Sequence, residues 1–360
     1  MPVELVSAQE AMSLMTQNAR LSCIIDARSE DEFALDHLPL ALNWPSLTNE
    51  ERIKVGTLYK QVGAFEANKL GASLVAANIA RHIENHVMDL PKTWRPLLYC
   101  WRGGKRSGSL ALVLGQIGFK VSVIEGGYKA FRAAVVMHTS QLALSLHFKV
   151  ITGPTGSGKT RLLHTLAAQG AQVLDLEALA VHRSSVLGRI PGQAQPSQKQ
   201  FDMRIWDTLS QFDPAKVVFV EAESKKVGNV SVPETLIDTM RASECVDLSL
   251  PLQARVELLM EDYAFFVQEP EKFCDRLSTL IEARGKVVIE QWQLLVRSGH
   301  IRQVVQELLL HHYDPTYARS VERNFRRWPD AFKAELKDHH AASLQALAKQ
   351  LIAQSTQIPA

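Results

Sequence analysis

"HFKVITGPTGSGKT", residues 147–160, decides the fold of the second half of this chain. An apolar run rich in β-branched residues breaks into a glycine loop matching GxxxxGK[ST], and a helix opens near Lys159. In that strand–loop–helix context the backbone N–H groups of the loop wrap a phosphate, Lys159 reaches an outer phosphate, and the Thr160 hydroxyl suits a Mg²⁺. The diphosphate-binding candidates are Gly153, Thr155, Gly156, Ser157, Gly158, Lys159 and Thr160. The motif specifies phosphate and says little about what carries it. A nucleotide hydrolase also needs a strand-end acid on the metal and a base pocket. "KVVFVEAESKKVG", 216–228, offers Glu221 and Glu223 rather than an Asp, and no base-reading motif stands out, so a diphosphate other than ATP stays open beside a nucleotide.

Downstream of the loop, "AQVLDLE" (171–177) and "KVVFVEAES" (216–224) read as further strands. After Pro251 the chain turns helical, with apolar residues three and four apart in "LQARVELLMEDYAFFV" and "RGKVVIEQWQLLVRSGHIRQVVQELLLHHY". Upstream, "CIIDAR" (23–28), "PLLYCW" (96–101) and "KVSVIEGG" (120–127) are short apolar runs separated by helical stretches, which predicts an α/β domain with a mainly parallel sheet. A helical linker, roughly 128–146, joins the halves. The expected domains are 15–138, a P-loop NTPase-like α/β core over 139–250, and a helical C-terminal region over 251–360 packed on that core.

"YCWRGGKRSG", 99–108, is the second stretch that carries chemistry. A thiol acts as a nucleophile in its thiolate form, which nearby cations, loop N–H groups and a helix N-terminus favour. Trp101, Arg102, Gly103, Gly104, Lys105, Arg106 and Ser107 form a loop past Cys100, with Gly103 and Gly104 letting the backbone curl. Ser107 reads as the N-cap of the helix that follows. The expectation is an anion-binding bowl around the catalytic candidate Cys100, set beyond the carboxyl end of a strand.

Bulk composition bounds the rest. The 360 residues are 46% hydrophobic and 22% charged with a net charge of +2, which suits a multidomain globular protein and argues against a wholesale basic coat for nucleic acid while permitting a local basic face. Cys23, Cys100, Cys245 and Cys274 form no CxxC pair, which argues against a zinc site or a disulfide framework. No apolar run reaches membrane-helix length and the N-terminus lacks a signal pattern, so a cytoplasmic protein without membrane contact is expected. With no long apolar heptad, a monomer is expected.

"IIDARSEDEFALDHLPLALNWP" (24–45), "CWRGGK" (100–105) and "VIEGGYKAFR" (123–132) together resemble the rhodanese-like domain over about 15–138. The resemblance implies a parallel-sheet fold and a cysteine that carries sulfur or selenium. Counted to Arg106, the loop also reads C-x5-R-S, the loop of cysteine phosphatases, although Tyr99 stands where many of those have His. "NEERIKVGTLYKQVGAFEANKLG" (49–71), "DLEALAVHRSSVLG" (175–188), "QPSQKQFD" (195–202) and "YDPTYARS" (313–320) extend the likeness over nearly the whole chain, to the tRNA 2-selenouridine synthase family.

That resemblance implies a transferase acting on wobble 2-thiouridine of tRNA Lys, Glu and Gln. Its two steps are S-geranylation from geranyl diphosphate, then selenation from selenophosphate through a selanyl cysteine. No tightly bound cofactor is implied beyond a Mg²⁺ option at Thr160. Gly71 falls in a family segment tied to geranylation and reads equally as a helix C-cap. In "DLEALAVHR", Asp175, Glu177, His182 and Arg183 read either as scaffold or as substrate contacts. "RSVERNFRRWP" (319–329) combines Arg319, Arg323, Arg326 and Arg327 with Phe325 and Trp328, either a tRNA-binding face or an amphipathic helix with its rings in the core. Two rival functions stay open: a sulfurtransferase or cysteine phosphatase regulated by nucleotide at the P-loop, and a non-catalytic binding module with an inert Cys100.

Overall fold

The computed structural model describes residues 3–16, 21–183, 188 and 192–355. Residues 184–187, inside the "DLEALAVHRSSVLG" segment, lie outside that set. The chain forms two compact units, Met1–Thr139 with Pro196–Gln211, and Ser140–Gln195 with Phe212–Ala360.

In the first unit, β1 (Val3–Val6), β2 (Cys23–Asp26), β3 (Ala41–Asn43), β4 (Pro96–Tyr99) and β5 (Val121–Ile124) pair in the order β1-β5-β4-β2-β3. Every pairing is parallel. All four residues of β4 are buried, as expected for a central strand covered on both faces. Ile25, Leu98, Leu110, Leu114 and Val123 form the core on one side of this sheet. Helices Asn49–Gln61 and Ala64–His86 make a hairpin through Gly63, which adopts a positive φ of 141°. The strand runs expected from the sequence appear here, and β1 and β3 add to them.

Helix Gln198–Ser210 belongs to this unit although its sequence lies between strands of the other one. Its buried face carries Phe201, Ile205 and Trp206; Trp206 meets Phe131 edge to face at 5.5 Å, and its indole N–H donates to His138 Nδ1 at 3.0 Å. Ser197 caps the helix by accepting the Gln200 N–H, and Arg132 pairs with Asp202.

In the second unit, β6 (His147–Thr152), β7 (Gln172–Leu174), β8 (Val217–Glu221), β11 (Glu244–Ser249) and β12 (Phe332–Glu335) form a parallel sheet in the order β12-β11-β6-β8-β7. A small antiparallel ribbon, β9 (Lys226–Val227) with β10 (Val230–Ser231), lies between β8 and β11 in sequence. Helices from Leu252 to Asn324 fill the stretch between β11 and β12, with their own apolar core around Phe273, Leu277, Trp292 and Val304. Past 251 the chain is mainly helical, and β12 is a strand that the sequence reading did not include. β12 and helix Ala341–Ser355 return to the phosphate-loop sheet, placing Ala334, Leu344 and Leu351 in the same core as Leu162 and Val246. Among the described residues no helix is long and apolar enough to cross a membrane.

Candidate active sites

Cys100 follows β4 directly and is 3% exposed. The loop after it is held from below: the Cys100 carbonyl accepts the Tyr128 N–H at 2.8 Å, and the Trp101 carbonyl accepts the Lys129 N–H at 3.0 Å. Gly127 makes that approach possible. It sits at φ +59°, and a Cβ there would collide with the Cys100 carbonyl oxygen.

The helix beyond the loop starts at Lys105, with Gly104 as its left-handed N-cap at φ 70°. Ser107 is therefore not the cap expected from the sequence, because the chain enters the helix earlier, through Gly104. Its hydroxyl is buried with no hydrogen-bond partner. The first-turn N–H groups lack intrahelical acceptors and present partial positive charge at the loop.

The three cations of the loop divide. Arg102 and Lys105 are exposed. Arg106 instead donates to Glu32 Oε2 at 2.7 Å, and Arg52 approaches the same carboxylate at 3.1 Å. Burial raises the Glu32 pKa, but the Arg106 contacts outweigh it and hold the carboxyl down at about 2. Trp101 stacks on Tyr128 at 5.5 Å, and Lys199 Nζ lies 5.7 Å from the Trp101 ring centre. Lys199, from "QPSQKQFD", is a fourth cation that spacing alone did not connect to this loop; only the docking of helix Gln198–Ser210 does so.

Beneath the loop a buried polar cluster fixes the sheet ends. Arg28 is 2% exposed, pairs with Asp26 at 2.6 Å, donates to the Asp36 carbonyl, and lies 4.1 Å over the Tyr128 ring. The Tyr128 hydroxyl donates to the Asp36 carboxylate. Burial pushes Asp36 and Tyr128 upward. Tyr99 is fully buried with its hydroxyl accepting the Leu38 N–H at 3.1 Å, a structural contact. Burial raises the other three thiols, Cys23 up to about 12, Cys245 up to about 11, and Cys274 in the same direction.

In the second unit the phosphate loop leaves the carboxyl end of β6, between β11 and β8. Gly153, at φ +151°, has the Leu248 carbonyl and Ser157 Oγ where a Cβ would stand. Gly158 is the left-handed N-cap of helix Lys159–Ala168. Lys159 Nζ donates to the Gly153 carbonyl at 2.7 Å, and Ser157 Oγ is buried without a partner. "YDPTYARS" is the loop's support. The Tyr317 hydroxyl accepts the Gly153 N–H, while Arg255, 6% exposed, donates to the Thr155 carbonyl at 2.7 Å and to Asp314 at 2.6 Å.

Thr160 Oγ1 lies 3.4 Å from Glu177 Oε2. Glu177, Glu221 and Glu223 each bring a carboxylate oxygen within 4.8 Å of the others. Glu221 is 1% exposed with Oε1 unpartnered, and burial followed by the neighbouring Glu177 and Glu223 raises its pKa far above the usual range. Crowded carboxylates with an orphaned oxygen beside a phosphate-loop threonine fit a hard divalent cation such as Mg²⁺. Glu177, open in the sequence between scaffold and substrate contact, belongs to this cluster. Asp175 is the N-cap of helix Leu176–Ala180, accepting the Ala178 N–H at 2.8 Å, and Arg183 stacks on Tyr263 at 4.8 Å.

Two readings of the sequence change. Gly71 lies inside helix Ala64–His86 and is no C-cap; it faces Val55, whose Cγ1 would be 3.5 Å from an added Cβ. Phe325 is buried and Lys333 covers the Trp328 ring at 4.9 Å, so the two rings form no exposed stacking platform. Arg319, Arg323, Arg326 and Arg327 are exposed, and Arg327 reaches Glu244 at 3.3 Å.

A parallel sheet with a cysteine loop and a parallel sheet with a phosphate loop define the class: a rhodanese-like domain joined to a P-loop domain. Family models agree, with a rhodanese-like domain matching residues 7–134 and the tRNA 2-selenouridine synthase AAA domain matching 146–280. Proteins named tRNA 2-selenouridine synthase are similar along the chain. That of Nitrosomonas europaea is 38% identical over 67% of this chain and 63% of its own length. That of Sulfurovum sp. is 31% identical over 90% of this chain and 94% of its own, and that of Shewanella piezotolerans 30% over 91% and 95%. The chain belongs to the tRNA 2-selenouridine synthase family.

Proposed function

We propose that the chain is a tRNA-modifying transferase that replaces sulfur by selenium at carbon 2 of wobble 2-thiouridine in tRNA Lys, Glu and Gln. The observation that carries this reading is that the chain holds two separate anion cradles, one closed around a thiol and one built on a P-loop lysine with an acidic cluster beside it. Two phosphorylated donors, selenophosphate and geranyl diphosphate, match two such cradles, and the relatives' shared name supports the tRNA substrate.

In the first step the thiouridine sulfur attacks carbon 1 of geranyl diphosphate, the carbon–oxygen bond breaks, and pyrophosphate leaves. Lys159 and the N–H groups of 155–159 neutralise the departing charge. A Mg²⁺ held by Thr160 with Glu177, Glu221 and Glu223 would supply further neutralisation. S-alkylation prepares the second step, because geranyl thiol is a better leaving group from carbon 2 than sulfide. For that step the Cys100 thiolate attacks the phosphorus of selenophosphate, the phosphorus–selenium bond breaks and hydroselenide leaves; the hydroselenide displaces geranyl thiol from carbon 2, and water hydrolyses the phosphorylated cysteine to free phosphate. Arg102, Lys105, Lys199 and the first-turn amides hold the anion, and Arg106, spent on Glu32, keeps the loop in shape.

Nucleoside mass spectrometry tests the reading. Thiouridine tRNA is incubated with the protein and each donor alone, then with both. Geranylated nucleoside from geranyl diphosphate alone and selenouridine with both donors are the expected products. An unchanged nucleoside, with phosphate released from a generic phosphoester, would hand the cysteine loop to phosphatase chemistry.

A further inference from the structure

The helices between β11 and β12 enclose a cavity that neither chemical step above uses. Its wall includes Leu259 and Met260 of helix Leu252–Asp262, Phe266, Val305 of helix Ile301–Leu308, and Tyr313, and its rim includes Thr155 of the phosphate loop. The cavity volume is about 50 Å³, several times what one water requires. The lining is almost wholly hydrocarbon, which suits an apolar guest.

The cavity and the phosphate loop are parts of one construction. A Cβ on Gly156 would stand 3.0 Å from Leu259 Cγ, so the wall residue already touches the loop. Arg255 ties the rim to the helices by gripping the Thr155 carbonyl and Asp314 together. Tyr313 ends a π-helical turn, Leu309–Tyr313; such turns interrupt regular helices and frequently mark functional positions. Arg183, stacked on the lining residue Tyr263, adds a cation to this side of the unit. A nucleobase would need several polar partners for its edges. Thr155, Tyr263 and Tyr313 are the lining residues with a polar side-chain atom, which favours a hydrocarbon occupant.

We propose that this cavity is the apolar half of a binding site whose polar half is the phosphate loop. A short prenyl chain lies against Met260, Phe266 and Val305 while its diphosphate is held by residues 153–160. The assignment rests on the reading of the P-loop as a prenyl diphosphate site.

Calorimetry on the full chain with Mg²⁺ tests it, using pyrophosphate, dimethylallyl diphosphate and geranyl diphosphate. Affinity is expected to rise with chain length, by ~10-fold or more from pyrophosphate to geranyl diphosphate. Val305→Trp and Met260→Trp, each checked for a native melt, should each erase that gain. Geranyl diphosphate binding no tighter than pyrophosphate to the unaltered protein, or a gain that survives both filled variants, overturns the cavity assignment and leaves the P-loop reading intact. No binding of either diphosphate, or pyrophosphate binding indifferent to Lys159→Ala, overturns the P-loop reading and the cavity with it. ATP binding whose advantage over pyrophosphate is lost in the filled variants gives the cavity to a base instead.

Discussion

Cys100 and Arg106 share one loop and do different work. The thiol sits at the loop's floor, whereas Arg106 turns away to Glu32. Cys100→Ala should abolish selenouridine while geranylated nucleoside accumulates, read by mass spectrometry of the product tRNA; equal loss of both products would contradict separate roles for the two cradles. Glu32 carries a stability prediction. Its pKa is depressed in the folded chain to about 2 from an ordinary 4.5, so its contribution is fully present above about 4.5 and is lost as pH falls through 2. With allowance for partial solvent screening, Glu32→Gln should cost about 2 kcal/mol at neutral pH. It should also flatten the acid limb of stability between those values, as denaturant melts at stepped pH would show.

At the scale of elements, the segment 313–320 stands behind the phosphate loop through Asp314 and Tyr317. Asp314→Asn weakens the Arg255 clamp on Thr155 by removing one charge of a largely buried pair. Pyrophosphate affinity is expected to fall by ~10-fold, read by calorimetry, and stability to drop by about 3 kcal/mol because Arg255 is left a buried charge without its partner. The helical hairpin makes a contrasting case. Gly71 lies mid-helix with ordinary van der Waals room toward Val55, so Gly71→Ala should raise stability by about 1 kcal/mol in a chemical melt. A loss instead would show that Val55 cannot yield. Thr48 and Ser197 cap their helices as residues of that type do, although the sequence reading did not single them out. Ser107 misled because Gly104, free to take a left-handed conformation, begins the helix first.

Across the whole molecule, the notable feature is the ownership of helix Gln198–Ser210. Phe201, Ile205 and Trp206 are completely buried in the first unit, and each such side chain contributes on the order of 2 kcal/mol. Residues 1–139 made alone should therefore melt lower and bind an apolar dye, and a peptide of residues 196–211 added in trans should reverse both. Gln195, one residue before that segment, is fastened in the second unit, donating to the Ala180 and Val227 carbonyls at 3.1 and 3.2 Å and accepting the Asn229 N–H. "QPSQKQFD" thus spends its first residue on one unit and the remainder on the other.

The residue text by itself determined whatever depends on local spacing: two parallel-sheet halves, a cysteine loop at the end of one strand, a phosphate loop at the end of another, and the residue types each needs. Those signals are readable because strand periodicity, glycine conformation and phosphate geometry are set within about ten residues of chain. Tertiary structure alone decided how the cations of the cysteine loop are paired, since Arg106 could be seen as a ligand until Glu32, far away in sequence, claimed it. It also gathered Glu177, Glu221 and Glu223 into one cluster, brought Lys199 to Trp101, and set Tyr317 and Asp314 behind the phosphate loop. Each of these pairings joins segments separated by tens to hundreds of residues, and no local pattern encodes them, because the partners are chosen by packing and by the cost of leaving a buried charge alone.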